Sequence, residues 1–276
     1  MSGAALELEG VTKRFGGLTA LDAISFTVAP ASVFGVIGPN GAGKTSLLNV
    51  VSGFYRSDGG EVRVFDGPLP PGAVRAAAQA GVARTYQNVR LFPGLTVEEN
   101  VVAGMYRHRR AGALHAVVLS SRERRERRAC RDRARELMRR VGLGDELAGR
   151  QAEMLSYGDQ RRCELARALA AEPRILLLDE PTAGMNSVES RQLGDLVAGL
   201  AAEGMTVVLV EHNMEVVQEY CGAAVVMNFG RLLASGPPRE CLERDDVREA
   251  YFGTRVDAER LRAHVGIRPD RGPARG

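Results

Sequence analysis

Eight consecutive residues combine glycines with a lysine and a hydroxyl: Gly38-Pro39-Asn40-Gly41-Ala42-Gly43-Lys44-Thr45. Glycines let successive backbone N–H groups converge on phosphate oxygens, and a helix that follows adds the partial positive charge of its N-terminus. Lys44 can reach the β- and γ-phosphates of a nucleotide, and the Thr45 hydroxyl can ligate Mg²⁺. The segment therefore predicts a phosphate site that runs on to Ser46.

Two adjacent carboxylates, Asp179 and Glu180, follow the apolar run Ile175 to Leu178. Open α/β sheets bind their ligands at the carboxyl ends of such strands. We expect Asp179 to hold Mg²⁺ directly or through water, and Glu180 to polarise an attacking water. The pattern is weak by itself, but downstream of a phosphate loop it indicates a P-loop nucleoside triphosphatase.

A third segment lies about twenty residues before Asp179 and reads Leu155-Ser156-Tyr157-Gly158-Asp159-Gln160-Arg161-Arg162. A serine, a small-residue turn and a helix N-terminus make a possible anion site at Ser156, Tyr157 and Gly158. The same residues also fit an ordinary helix start, because Ser156 followed by Asp159 would cap a helix. The residue types alone leave both interpretations open.

The elements that would position these residues alternate between strands and helices. Val33–Ile37 reads as a buried strand, and a helix is expected from about Lys44 to Val51. Further strand-like runs lie at Leu6–Val11, Ala23–Val28, Gly59–Phe65, Gly81–Tyr86, Ile175–Leu178, Thr206–Val210 and Ala224–Met227. This order predicts an α/β fold: a mostly parallel sheet with flanking helices, plus an antiparallel β edge.

From Thr96 to about Leu169 the pattern is helical, which predicts an inserted α-helical subdomain. Capping boxes begin at Thr96 and again at Ser120. The run from Arg122 to Arg140 carries charges of both signs, which is typical of a solvated helix face. Docking against a partner or against anionic lipid headgroups is the alternative interpretation.

Composition restricts the class of protein. The chain has 276 residues, 45% apolar and 26% charged, close to the averages of globular proteins. A net charge of +3 is too small to predict a nucleic-acid partner. No apolar run approaches the roughly 20 residues of a membrane-spanning helix, and the N-terminus has no signal-peptide pattern. If the chain serves a membrane, we expect it to do so from the cytoplasm through a partner.

Taken in order, these motifs resemble those of ABC ATPases from about Leu6 to Gly253. The resemblance implies that Phe15 stacks on adenine and that Gln87 senses Mg²⁺ and the nucleophilic water. It also implies that His212 contacts the γ-phosphate and that Ser156–Gly158 closes over ATP held by another subunit. Glu180, His212 and Lys44 would be the catalytic residues, and Thr45, Gln87 and Asp179 the metal ligands.

The resemblance also implies a domain plan and marks three departures from the family pattern. An ABC ATPase domain would span 1–253, with a RecA-like core at about 1–88 and 165–253 and a helical subdomain at about 89–164. The Arg/Pro-rich extension at 254–276 would be partly flexible. Tyr157 replaces a glycine, Asp159 replaces a glutamine, and Asn186 stands where many members have an aspartate.

More particular spellings resemble the ATP-binding subunits of branched-chain amino-acid importers. They are the run Ala83–Phe92, the Leu-Ser-Tyr-Gly signature, Val210–Met214, the extended helical insert near Arg107–Arg140, and the ending Val247–Gly253. This likeness implies ATP and Mg²⁺ as cofactors and a head-to-tail dimer with an identical or paralogous ATPase subunit. It further implies integral-membrane permease subunits, an indirect extracytoplasmic solute-binding protein, and a place on the cytoplasmic face of the cell membrane.

Other ABC systems remain open at this level. Urea or amide importers use similar ATPase subunits, and a lipid or lipopolysaccharide exporter is a further alternative. An ABC ATPase that acts on ribosomes or DNA is disfavoured, because this chain has one set of motifs and no sustained heptad repeat.

Overall fold

The computed structural model describes residues 3–105 and 121–252. The predicted extension at 254–276 and the capping signature that begins at Ser120 lie outside these ranges. Among the helices in these two ranges, none combines the length and apolar character needed to cross a membrane.

An antiparallel sheet is built from residues near the N-terminus. Its strands are β1 (Leu6–Phe15), β2 (Leu18–Val28), β4 (Gly59–Val64) and β5 (Gly67–Pro68), in the order β2-β1-β4-β5. The first two strands form a hairpin that pairs Phe15 with Leu18. Both strands are longer than the predicted apolar runs, because their polar ends continue the ladder after the apolar alternation stops. The hairpin brings Phe15 to the tip of the sheet.

A second, mostly parallel sheet carries the predicted chemistry. Its strands are β3 (Val33–Ile37), β6 (Val82–Arg84), β7 (Ile175–Asp179), β8 (Thr206–Val210), β9 (Ala223–Asn228) and β10 (Arg231–Gly236). Their order is β10-β9-β3-β8-β7-β6, and β10 alone in this sheet runs antiparallel to its neighbour. The carboxyl ends of β3, β7 and β8 therefore lie side by side at one edge.

Helices flank this sheet. They are α1 (Lys44–Val51), α2 (Val74–Gln79), α3 (Val97–Gly104), α4 (Ser121–Arg140), α5 (Tyr157–Leu169), α6 (Ser187–Ala202), α7 (Met214–Tyr220), α8 (Pro238–Glu243) and α9 (Asp245–Phe252). Helices α3, α4 and α5 pack on one another. The predicted capping box at α3 is confirmed: the Thr96 hydroxyl accepts from Glu99 N, and the Glu99 carboxylate accepts from Thr96 N. The mixed sheets with flanking helices confirm the predicted α/β fold.

The parallel strands are buried on both faces, which explains their unbroken apolar sequences. Along β7, Ile175 and Leu177 face a core shared with the antiparallel sheet and α1. Leu176 and Leu178 face the opposite core, shared with α3, α5 and α6. Because both sides are packed, the strand ends are fixed in position, and the loops that follow them carry the polar residues.

Candidate functional site

The loop from Gly38 to Gly43 joins β3 to α1 and needs glycine at two points. Gly38 has φ +155°, and a Cβ there would lie 2.2 Å from the carbonyl oxygen of Met227. Gly43 has φ +102°, and a Cβ there would lie 2.6 Å from the carbonyl oxygen of Ala20. Side chains at either place would force the loop off strands β9 and β2. Packing therefore fixes the loop conformation.

The first turn of α1 is equipped to receive an anion. Gly43 is its N-cap residue, no side chain caps it, and its first turn holds no acidic residue. Its free backbone N–H groups and the helix dipole can therefore serve phosphate oxygens. The Lys44 ammonium lies within the loop and donates to the carbonyl oxygens of Gly38 (2.7 Å) and Pro39 (3.1 Å). Burial lowers the pKa of Lys44, and the charges of Glu180 and Asp179 oppose that fall.

Asp179, at the end of β7, is 2% exposed and is held by an arginine from the neighbouring strand. Its Oδ2 accepts from an Arg84 Nη at 2.8 Å. The same guanidinium donates to Asn49 Oδ1 (2.6 Å) and to Ser52 Oγ (3.3 Å), both at α1. Arg84 thus ties the carboxylate of Asp179 to the helix that follows the phosphate loop.

Glu180, Gln87 and His212 meet beside that carboxylate. Gln87 Nε2 donates to Glu180 Oε2 at 2.9 Å, and His212 Nδ1 lies 3.9 Å from the same oxygen. The backbone of Glu180 is left-handed, with φ +48°, and its N–H donates to the Val210 carbonyl oxygen. Strands β6, β7 and β8 therefore bring together three residues that are far apart in the sequence.

A fully buried carboxylate, Glu211, fixes the backbone around this group. Its Oε1 accepts from Thr182 N (2.9 Å) and Thr182 Oγ1 (2.7 Å). Its Oε2 accepts from the backbone N–H groups of His212 (3.2 Å) and Asn213 (3.4 Å). Glu211 thereby joins the segment after Glu180 to the segment that carries His212.

A cleft of about 380 Å³ runs from the phosphate loop to the β1–β2 hairpin. It contains Phe15, Gln87, Glu180 and the loop residues Asn40 through Ser46, together with Phe229. The Phe15 ring is half-exposed and packs edge-on against Tyr55, with ring centroids 5.2 Å apart. An aromatic at one end and phosphate-binding backbone at the other match the two ends of a nucleotide.

Ser156 and Gly158 line a different cleft, between the end of α4, the start of α5, and α6. That cleft shares no residue with the one around the phosphate loop. Ser156 caps α5: its Oγ accepts from Asp159 N (3.2 Å) and donates to Asp159 Oδ2 (2.8 Å). The capping interpretation from the sequence is thus confirmed, and the signature residues do not reach their own chain's loop.

Asn186, the third departure from the family pattern, also caps a helix. Its Oδ1 accepts from Val188 N (2.9 Å) and Glu189 N (3.0 Å), while the Glu189 carboxylate accepts from Asn186 N. An asparagine is as good an N-cap as the aspartate it replaces. The start of α6 is therefore satisfied without the acidic residue.

Three residues of the site were not found from the sequence: Phe229, Arg84 and Glu211. Phe229 is 82% exposed and has φ +44° at the β9–β10 turn, so an exposed aromatic there was a usable signal. Glu211 follows the apolar run Thr206–Val210, the same pattern that marked Asp179 and Glu180. Arg84 offered no signal, because its partners Asn49 and Asp179 are distant in sequence.

The amino-acid sequence is similar to a known family and to characterised transport proteins. A family model described as ABC transporter matches residues 21–183. The high-affinity branched-chain amino acid transport ATP-binding protein BraF of Pseudomonas aeruginosa is 41% identical over 254 residues, which cover 92% of this chain and 99% of BraF. The protein of the same description from Escherichia coli, LivG, is 39% identical over 254 residues, with the same two coverages.

Solved structures with this fold include a nucleotide-free ATP-binding cassette from an ABC transporter. It is 29% identical, has a TM-score of 0.79, and covers 91% of this chain and 100% of its own. A dimeric ATP-binding cassette in a post-hydrolysis state, bound to ADP and Pi, is 26% identical with a TM-score of 0.72. That match covers 85% of this chain and 99% of the cassette.

Proposed function

This chain belongs to the ABC transporter family of ATP-hydrolysing subunits, and we propose that it energises the import of branched-chain or other amino acids. One observation carries the proposal: the likeness to BraF spans 92% of this chain and 99% of BraF. A match of that extent includes the surfaces on which a subunit meets its partners as well as the nucleotide site.

Nucleotide binding follows from the phosphate loop and the hairpin tip. The uncapped N–H groups at the start of α1 and the Lys44 ammonium would hold the phosphates. Phe15 would stack on adenine through the exposed face of its ring. The loop residues Gly38 to Ser46 would supply backbone N–H donors together with the Lys44 ammonium, so this part of the site would recognise the phosphates rather than the base.

The donors near the γ-phosphate position suit Mg²⁺, which prefers oxygen ligands and is commonly bound by one or two carboxylates together with substrate phosphates. Thr45 offers a hydroxyl, Asp179 a carboxylate, and Gln87 an amide oxygen. Arg84 occupies only Oδ2 of Asp179. Bound Mg²⁺ supplies charge neutralisation on the transferring phosphoryl group.

Hydrolysis would depend on the cluster at Glu180. The Glu180 carboxylate is the base that polarises the water attacking the γ-phosphorus. Gln87 holds one oxygen of that carboxylate, and His212 lies on the same side, where it can contact the γ-phosphate. The Lys44 ammonium offsets the charge that moves onto the leaving ADP oxygen as the bond breaks.

A second subunit is needed to complete each site. The signature residues Ser156 to Gly158 line a cleft separate from that of the phosphate loop, so within one chain they cannot touch the bound ATP. A head-to-tail dimer with an identical or paralogous ATPase would bring each signature onto the other chain's ATP. A related cassette is dimeric in its post-hydrolysis state, which supports an assembly of two ATPase chains.

The dimer would act at the cytoplasmic face of the cell membrane. There it would drive integral-membrane permease subunits, and these would receive amino acids from an extracytoplasmic solute-binding protein. Binding of ATP favours the closed dimer and hydrolysis releases it, so ATP shifts the permease between two states.

Uptake measurements in the native cells test this proposal. Deletion of the gene should abolish high-affinity uptake of radiolabelled leucine, and the wild-type chain should restore it. The Glu180→Gln chain should not restore uptake but should copurify with permeases, a second ATPase and a solute-binding protein. Unchanged leucine uptake together with lost uptake of urea, or with a lipid-export defect, would refute amino-acid import while leaving the ATPase.

A further inference from the structure

The guanidinium of Arg161 lies between two functional segments. Arg161 is on α5, one turn after the signature, and is 5% exposed. On one side it donates to the backbone carbonyl oxygens of Tyr86 (2.6 Å) and Gln87. On the other it donates twice to the phenol oxygen of Tyr157, from Nε (3.2 Å) and from Nη2 (2.7 Å). One buried side chain thus bridges the strand that ends near Gln87 and the signature.

A buried carboxylate balances this charge and extends the same connection. Glu164 lies 3.9 Å from Arg161 and 3.7 Å from Arg167. Its Oε1 also accepts from the backbone N–H of Arg90 at 3.2 Å. The segment around Gln87 is therefore held by α5 both before and after the glutamine, through carbonyl acceptors and an amide donor. Movement of α5 must move this segment as well.

Tyr157 makes a further contact on the side of the catalytic carboxylate. Its ring is 47% exposed, and a Cβ at Gly184 would lie 3.3 Å from its Cε1 atom. Gly184 has φ +79° and lies between Glu180 and Asn186. The tyrosine thus touches the segment after Glu180 with its ring edge and holds Arg161 with its hydroxyl. A glycine at 157 could do neither.

We propose that Arg161 and Tyr157 are a positioning pair that couples the two ATP sites of the dimer through the interior of each chain. The inference rests on the proposed head-to-tail dimer. When the signature of one chain closes over its partner's ATP, Tyr157 moves with it. Arg161 transmits that movement to the backbone of Gln87, whose side chain holds Glu180 at the chain's own ATP. Each site then reaches its hydrolytic geometry only when the other has closed.

Heterodimers of the full-length chain test the coupling. Two versions are co-produced with different affinity tags and purified on both tags in sequence. One chain carries Glu180→Gln, which confines hydrolysis to the ATP on the other chain's phosphate loop. Tyr157→Phe is then placed on the hydrolysing chain. The signature that closes over the hydrolysed ATP belongs to the Glu180→Gln chain, so it remains wild type. This substitution removes only the hydroxyl, so it preserves the ring contact with Gly184.

We expect the kcat of this heterodimer to fall about fivefold, the lower end of the range for coupling between sites, with KM unchanged. A purely local role for Tyr157 predicts no loss here and a loss only when Tyr157→Phe is on the Glu180→Gln chain. That pattern would overturn the inference. Tyr220→Phe on the hydrolysing chain is the matched control, because its hydroxyl donates to the Arg191 carbonyl oxygen and to Asp195, both on α6. Its kcat should equal that of the unsubstituted heterodimer.

Failure of the underlying dimer would give a different result. Size-exclusion chromatography of the Glu180→Gln chain should show a dimer with ATP and a monomer without it. A chain that stays monomeric with ATP would overturn both the dimer and the coupling. If the dimer forms but its kcat is unchanged by Tyr157→Phe on the hydrolysing chain, the coupling alone would be overturned. Equal thermal unfolding midpoints for Tyr157→Phe and the wild type would separate coupling from misfolding.

Discussion

The phosphate loop and the signature segment each lead into the N-terminus of a helix, yet the two helix starts are built differently. At α1 the N-cap is Gly43, with no capping side chain and no acidic residue in the first turn. At α5 the Ser156 hydroxyl caps the helix, and Asp159 stands in the first turn. The first N-terminus is left for an external anion, whereas the second already has one N–H capped within the chain and a negative charge beside it. Affinity for ATP should therefore reside in the loop, and the signature should contribute on closure.

Replacing Lys44 with methionine should give the largest effect of the variants that test this difference between the two helix starts. The methionine keeps the apolar stem and removes the ammonium, so ATP affinity of the chain should fall by at least about 100-fold, as when a strong charge-assisted contact is lost. Isothermal titration with ATP measures this. Arg63→Met, a surface cation on β4, is the control and should bind ATP normally. If Ser156→Ala reduced affinity as much as Lys44→Met, the division between the two segments would be wrong.

Glu211→Gln should give the next largest effect. It should lower kcat by loosening the backbone that holds Glu180 and His212 beside the phosphate loop. The amide retains the shape but offers one acceptor where four backbone and hydroxyl donors now bond. We expect kcat to fall about tenfold, while the Kd for ATP changes by less than about twofold, since lost hydrogen bonds to a charged group cost about 1.5–3 kcal/mol. Steady-state ATPase assays and titration measure both quantities.

Thr182→Ser is the companion variant for Glu211. Serine keeps the Oγ that donates to Glu211, so the kcat of Thr182→Ser should stay near that of the wild type. Valine lacks this donor, so the kcat of Thr182→Val should fall toward that of Glu211→Gln. Equal kcat in Thr182→Ser and Thr182→Val would show that the hydroxyl does not hold the cluster.

Asp159→Gln should give a smaller effect of the opposite sign on the signature side. It removes a negative charge from the start of α5 and restores the residue usual in the family. Because like charges near the γ-phosphate repel, we expect kcat/KM to rise about threefold, corresponding to the 0.3–1 kcal/mol of a charge at a helix terminus. Asp159→Asn is the matched comparison. A fall in kcat/KM in Asp159→Gln would mean that the hydrogen bond from the Ser156 hydroxyl to the Asp159 carboxylate matters more than the charge.

Thr96→Ala should give the smallest effect and provides a benchmark for changes that affect stability alone. It removes the capping box of α3, which is neither of the two helix starts compared above, and should cost about 1 kcal/mol of unfolding free energy. Chemical denaturation measures the loss, and Thr96→Ser should recover it. ATPase activity per folded molecule should stay unchanged. A fall in kcat at full folding would show that α3 takes part in the cycle.

The same contrast explains how much the sequence could predict. The bounds of β3 and α1, Val33–Ile37 and Lys44–Val51, agree with the sequence prediction. The apolar run and the glycine loop between them determine these bounds from local residue types alone. Strand β10 and helix α2 were not anticipated. They are short and carry no clear periodicity, and β10 exists because β9 offers it a pairing edge.

Side-chain roles followed the same division. The loop residues act through backbone geometry, which glycine spacing reveals. Arg84 bonds Asp179 and Arg161 bonds the Tyr86 carbonyl oxygen, and because these contacts join residues far apart in the chain, the residue types carried no information about them. For the signature, the sequence left two interpretations open, and the structure shows the cap at Ser156 directly.

The left-handed backbone at Glu180 carries an evolutionary cost. A residue with a Cβ at φ +48° is strained, and glycine or asparagine would relieve it. Glu180→Gly should therefore raise the thermal unfolding midpoint while abolishing hydrolysis. A library selected only for heat resistance would accumulate glycine at this position and lose the enzyme. Selection for ATP hydrolysis keeps glutamate there, whereas selection for thermal stability alone would favour glycine at position 180.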